Sequence, residues 1–331
     1  MIWRKVFDYE KSRIKNSKSV FIAVAAVFLL TVSAFFLFCA LSPAESQYIV
    51  SDRNEAKNTY YKYIADGEAQ LASPYLTDSE RTEIKLGIER YKFYLETDTV
   101  ESDYLPIDNF TSKFKGYGGS SILLRFAHFS FYPFCILAIA GGVYLIGQEK
   151  DKNILKNILA PDIPRGKLYA TKLAINFLMT FAPVIISAAV LGIAGAFVPH
   201  GNFLVYSGGY KPLNAYALYW QIILGNFSAQ LLLYSVSVLL CLFFKRIFSV
   251  GFTVVGYLFF AVLVMIVYNS DRFVELNVQT FESVVCIPLA GIQNYTAGLD
   301  VVFWAVFIAH LALSAAVIAV SYSVFGRRDL V

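Results

Sequence analysis

Charge is what this chain has least of. Lys, Arg, Asp and Glu together make up 16% of its 331 residues, where soluble domains carry about a quarter. The 24 acidic residues avoid the long apolar runs completely. No dense basic patch with interleaved aromatics occurs, which excludes nucleic acid as a partner class. The four cysteines, Cys39, Cys135, Cys241 and Cys286, match neither a disulfide framework nor metal-ligand spacing. No phosphate-binding loop of the G-x-x-x-x-G-K-[ST] type is present, and Gly166-Lys167-Leu168 is not one. The chain therefore does not hydrolyse ATP by that route. Only three histidines occur, His128, His200 and His310, and no catalytic constellation forms around them.

What is abundant is apolar residue, 57% of the chain. A transmembrane helix needs roughly 20 mostly apolar residues to cross about 30 Å of hydrocarbon. Six runs meet that length: 20–41, 123–146, 173–198, 216–244, 247–268 and 301–325. The first reads as an uncleaved anchor, since no convincing small-residue cleavage site follows it. Orientation follows from Lys and Arg in the short flanks. Basic clusters precede the first run (Arg4, Lys5, Lys11, Arg13, Lys15, Lys18), separate the second from the third (Lys150, Lys152, Lys156, Arg165, Lys167) and the fourth from the fifth (Lys245, Arg246), and follow the sixth (Arg327, Arg328). The alternate short loops hold only Lys211 and Arg272. Six spans put all four clusters on one side, so both termini are expected in the cytoplasm. The fold class expected is an all-α, multi-pass cell-membrane protein.

Three of the segments outside these runs have a character of their own. Residues 1–19 read as a cytoplasmic interfacial helix, with Ile2, Trp3, Val6, Phe7 and Ile14 opposite the Lys and Arg. Residues 42–122 read as an extracellular helical domain. Thr77-Asp78-Ser79-Glu80 fits a capping box, after which Ile84, Ile88, Tyr91 and Leu95 share one helical face. A second helix is expected over 55–71, making a helical hairpin. Residues 269–300 contain apolar pieces too short to span, broken by Pro288, Gly291 and Gly298. They fit either a re-entrant helix pair or an ordinary loop.

Polar residues within the runs are candidates for a path through the membrane, because polar groups there turn away from lipid. Asn226 and Gln230 are four apart and share a face of the fourth run, which also carries Gln221 and Ser228. His310 lies in the sixth run. Bonding between helices accounts for Asn226 and Gln230 equally well, and for a lone histidine such as His310 it is the first reading.

The most informative stretch is 147–168. Ile154, Leu155, Ile158 and Leu159 form one apolar helical face among charges, and Pro161 and Pro164 stop the helix. A short amphipathic helix tied to two spans on the cytoplasmic side can pass motion from a docked partner into the membrane. With Glu149 at the end of the second span, Pro161 and Arg165 in the following turn, Lys172 entering the third span and Phe325-Gly326-Arg327-Arg328-Asp329 at the end, the layout resembles the permease subunits of type-2 ABC exporters. It departs from them at Lys152-Asn153, where the family commonly has Gly-Thr.

The resemblance implies a transport subunit that is not itself an enzyme. Its partners would be a cytoplasmic ATPase subunit, which binds the ATP and Mg, and a second copy of the chain or a related permease. It further implies that Glu149, Ile154, Leu155, Ile158, Pro161 and Arg165 couple to the ATPase. Export of a peptide or another amphipathic or hydrophobic compound is the activity expected. The alternative is a membrane sensor or scaffold whose extracellular hairpin binds a ligand or partner.

Overall fold

The computed structural model describes residues 52–104, 134–144, 164–197, 202–206, 209–256 and 301–327, together with the isolated positions 8, 25, 28, 29, 32, 127 and 147. Apart from those isolated positions, the expected interfacial helix and the first span lie outside them, as do most of the fifth span and the segment 269–300. Two bodies of different chemistry are present, a polar helical hairpin and a bundle of apolar helices.

The hairpin consists of α1 (Arg53–Leu71) and α2 (Asp78–Glu96). Asp52 caps α1 by accepting from the Asn54 amide at 2.8 Å. Thr77 and Glu80 form the capping box expected from sequence: Thr77 Oγ1 accepts from the Glu80 amide, and Glu80 accepts from the Thr77 amide at 2.9 Å. Capping of this kind satisfies backbone donors that the first turn leaves free. Gly67 lets α1 close on Ile88 of α2. Tyrosine rings fill the rest of the seam. Tyr91 stacks between Tyr60 and Tyr63, each at 5.2 Å, and Tyr94 stacks on Tyr104 at 5.8 Å.

The bundle contains α3 (Phe134–Tyr144), α4 (Arg165–Ala196), α5 (Ala215–Phe243), α6 (Arg246–Gly256) and α7 (Val301–Arg327). Of these, α4, α5 and α7 are long and apolar enough to cross a membrane. α5 is central: 56% of its apolar stretch is buried, against 17% for α7. α4 runs antiparallel to α5, with Leu173, Ala188 and Gly192 facing Tyr234, Tyr219 and Tyr216. α3 runs parallel to α5, since Ala127, Cys135, Gly142 and Gly147 meet Asn226, Ala229, Ser237 and Cys241 in turn. α7 is also parallel to α5, with His310 beside Ser228 and Phe325 in the cluster of Cys241 and Leu242.

Two results differ from the sequence expectation. First, α4 begins at Arg165, about two turns before the expected start of the third span, so Arg165 and Lys167 are helical. Pro164 supplies the stop that defines this start, because proline is accepted at the head of a helix but not inside it. Second, the protein is not all-α. Strands β1 (Asn202–Tyr206) and β2 (Tyr210–Asn214) pair antiparallel between α4 and α5, with Asn202 opposite Asn214 and Tyr206 opposite Tyr210. Pro212 is tolerated because a two-stranded sheet consists only of edges. Asn214 ends β2 and also caps α5, accepting from the Tyr216 amide at 2.9 Å.

Candidate functional site

The bundle has one basic end. Arg165 and Lys167 open α4, Lys245 and Arg246 follow α5, and Arg327 closes α7. These helix ends are knotted together by Tyr169, whose hydroxyl donates to Ser321 Oγ at 2.7 Å and whose ring stacks on Phe325 at 4.6 Å. Gly147 lies against Cys241 and Arg246 at the same end. The chain from Gly147 to Pro164 therefore leaves from this end and returns to it. Of the residues expected to couple to a partner, Arg165 stands here as the first residue of α4. Glu149, Ile154, Leu155, Ile158 and Pro161 lie outside the described residues.

Between the ends, helices approach closely through small residues. A side chain at Gly141 would collide with Thr180, and one at Gly142 with Ser237 and with the Tyr234 carbonyl oxygen, 2.8 Å from its Cβ. Asn176 donates to the Gly141 carbonyl at 2.6 Å across this seam. Close backbone approach with polar bonds is how helices associate in lipid, where apolar burial between them supplies no drive.

The expected path residues divide between two faces of α5. Asn226 donates through Nδ2 to the Ala127 carbonyl at 2.9 Å. Ser228 meets His310 Nδ1 at 3.2 Å. Two residues along a helix turn by about 200°, so His310 lies opposite Asn226 and Gln230 and does not form one site with them. The Ser228 hydroxyl donates to the Gly225 carbonyl at 2.8 Å. The imidazole is then the donor in the pair, an interhelical bond that Ser314 reinforces by donating to the His310 carbonyl at 2.7 Å.

Asn226 and Gln230 are 2% and 1% exposed. Among the described residues, Asn226 Oδ1 and Gln230 Oε1 have no hydrogen-bond partner, and neither do Gln221 Oε1 on α5 and Ser187 Oγ on α4. A buried orphan of this kind costs about 1–3 kcal/mol. Among the described residues no group of three His, Cys, Asp or Glu converges as a metal would require.

At the end opposite the basic one, the β-hairpin grips the α1–α2 hairpin. Leu204 is buried with Tyr60, Tyr94 and Val100. The Tyr210 hydroxyl donates to the Leu86 carbonyl at 3.0 Å, and its ring lies 6.4 Å from Phe93. Burial raises the Tyr60 and Tyr94 hydroxyls above the usual tyrosine range. Hydrogen bonding from Lys57 lowers the Asp98 carboxyl, and bonding from Thr77 lowers that of Glu80. Sequence reading missed this clamp. Its available signal was Ser207-Gly208-Gly209 between two short β-prone stretches, a loop length and composition suited to a three-residue hairpin turn.

Residues 107–260 match the model of a family described as ABC-2 family transporter protein. The match takes in α3 to α6 and the chain between them, and it bears out over those residues the resemblance to type-2 ABC permeases. No curated protein and no solved structure matches the chain.

Proposed function

We propose that this membrane protein is the permease subunit of an ABC transporter, exporting a peptide or another amphipathic or hydrophobic compound on energy from a separate ATPase subunit. The observation that carries the reading is the family match over 107–260, which includes the amphipathic segment between Gly147 and Pro164. That segment is anchored where the ends of α4, α5 and α7 are packed around Tyr169. A push on it therefore acts on three apolar helices at once. Glu149, Ile154, Leu155, Ile158, Pro161 and Arg165 are the residues through which the ATPase, loaded with ATP and Mg, would push.

Helix directions support six spans. α7 runs parallel to α5, the relation that a fifth span starting with α6 would give them. The positive charge gathered at one end supports a cytoplasmic position for that end. The α1–α2 hairpin, joined to the opposite end by the β-hairpin, is then extracellular. A homodimer or a pair with a related permease completes the transporter.

The clamp on that hairpin also favours a second reading, a sensor or scaffold that relays ligand binding from α1–α2 into α4 and α5. Affinity purification of the tagged chain in mild detergent, followed by mass spectrometry, separates the two. A near-stoichiometric ATPase with a phosphate-binding loop supports the permease. Its absence in several detergents favours the sensor.

A further inference from the structure

Among the described residues, the unpartnered oxygens of the bundle are concentrated in one stretch. Gln221 Oε1, Asn226 Oδ1 and Gln230 Oε1 lie on α5, and Ser187 Oγ lies on α4. On α5 they run from near the clamped end to the middle of the helix, about 14 Å at 1.5 Å per residue. The orientation of Asn226 is set by its bond to Ala127, which spends the amide nitrogen and leaves the oxygen free. Gln230 follows one turn later on the same face. Buried polar groups in native proteins are almost always paired, so a persistent orphan calls for a water, an ion or a ligand. Neither α3, α4, α5, α6 nor α7 contains an Asp or Glu, so no carboxylate of these helices is available to neutralise a buried cation. What remains is a set of neutral acceptors, and their complement is a neutral N–H or O–H donor.

We infer that Asn226 and Gln230 form a recognition site for neutral hydrogen-bond donors of the transported compound, of the kind a peptide backbone presents. This rests on the permease reading. The amide oxygens stay unpaired while the site is empty and gain partners when the compound's N–H groups reach them. Stability of the empty protein is thereby traded for selection of a donor-bearing compound over an equally apolar one without donors.

The test uses the full chain in mild detergent, with any ATPase that accompanies it, and follows thermal unfolding by tryptophan fluorescence. Gln230→Met keeps the length of the side chain and removes the amide. Its melting temperature is expected to rise by about 2 °C or more, the order that relief of one orphan gives in a chain of this size. The probes are N-acetyl-leucyl-leucine amide and its counterpart methylated on every nitrogen. The first is expected to raise the melting temperature of the unaltered chain by several degrees and the second to leave it unchanged. Neither should shift Asn226→Leu or Gln230→Met. A lower melting temperature in Gln230→Met shows the amide to be paired within the protein and overturns the proposal. Equal shifts from the two probes, or no shift from either, overturn it as well. Failure of the permease reading looks different: no ATPase accompanies the chain, whatever the melting curves do.

Discussion

The α1–α2 hairpin and the apolar bundle are held together by different physics. In the hairpin, helix ends are capped by side chains, tyrosine rings stack in the seam, and charge pairs such as Arg53–Asp103 at 3.0 Å and Lys92–Glu68 at 2.9 Å decorate the rim. In the bundle, contacts between helices run from hydroxyl and amide groups to backbone carbonyls: Tyr219 to Ala188 at 2.8 Å, Asn176 to Gly141, Asn226 to Ala127. Water explains the first pattern, because burying aromatic surface there is favourable on its own. Lipid explains the second. Exposed Leu178, Ile185 and Ile193 on α4 cost nothing in hydrocarbon, so specificity has to come from close packing and polar bonds.

Substitutions that respect one region's rules and violate the other's sharpen this contrast. The largest effect is expected from Gly142→Leu, which drives a branched side chain into Ser237 and the Tyr234 backbone. A cost of about 3 kcal/mol or more should cut the yield of monodisperse protein, while hydrogen exchange in 53–96 stays slow in what remains. Loss of protection in the hairpin as well would show that the two regions do not fold separately.

Tyr210→Ala comes next. It removes a ring contact and the bond to Leu86, about 2 kcal/mol. Exchange should quicken in 53–96 and 202–214 and stay unchanged in 216–243. Fast exchange throughout α5 would mean that the clamp supports the bundle itself.

Thr77→Ala removes the cap of α2 and should cost about 1 kcal/mol, visible as faster exchange confined to 78–82. The smallest effect is expected from pH. Asp98 and Glu80 are held below their ordinary values by Lys57 and by the Thr77 amide. A lowered carboxylate contributes stability that is present above its unfolded value, about 4, and is lost as pH falls through the folded one. Limited proteolysis at pH 3 should then cut within 53–96 sooner than at pH 6. No such change is expected in α4, α5 or α7, which carry no carboxylate. Tyr60 works in the other direction: its raised hydroxyl contributes below about pH 10 and the contribution fades as pH rises beyond.

Features set by neighbouring residues are readable in the sequence. Thr77 and Glu80 sit three apart, and their box forms as written. The expected helix over 55–71 is α1, two residues short at its start. The runs 216–244 and 301–325 became α5 and α7 to within two residues at each end. Arg165 was misplaced by its turn-like surroundings, Ala160-Pro161-Asp162-Ile163-Pro164, whose last proline begins a helix and does not merely end one. Asn226 and Gln230 share a face by their spacing of four, whereas His310 is a candidate only as a polar residue within the sixth run. Position within a run says nothing of azimuth between helices, and the bonds to Ala127 and Ser228 put His310 on the opposite side of α5 from Asn226 and Gln230.

By itself the sequence determined that this chain enters a membrane, which end of its helices carries the positive charge, and where the capped helices of its polar hairpin lie. Those properties depend on composition and on spacings within a few turns. Only the tertiary structure decided that a β-hairpin clamps the polar domain to α4 and α5, that Gly141 and Gly142 are the seam of three helices, and that among the described residues the amide oxygens of buried Asn226 and Gln230 are left without partners. Each of these depends on which distant residue arrives opposite. That is a choice made by packing, and local sequence does not encode it.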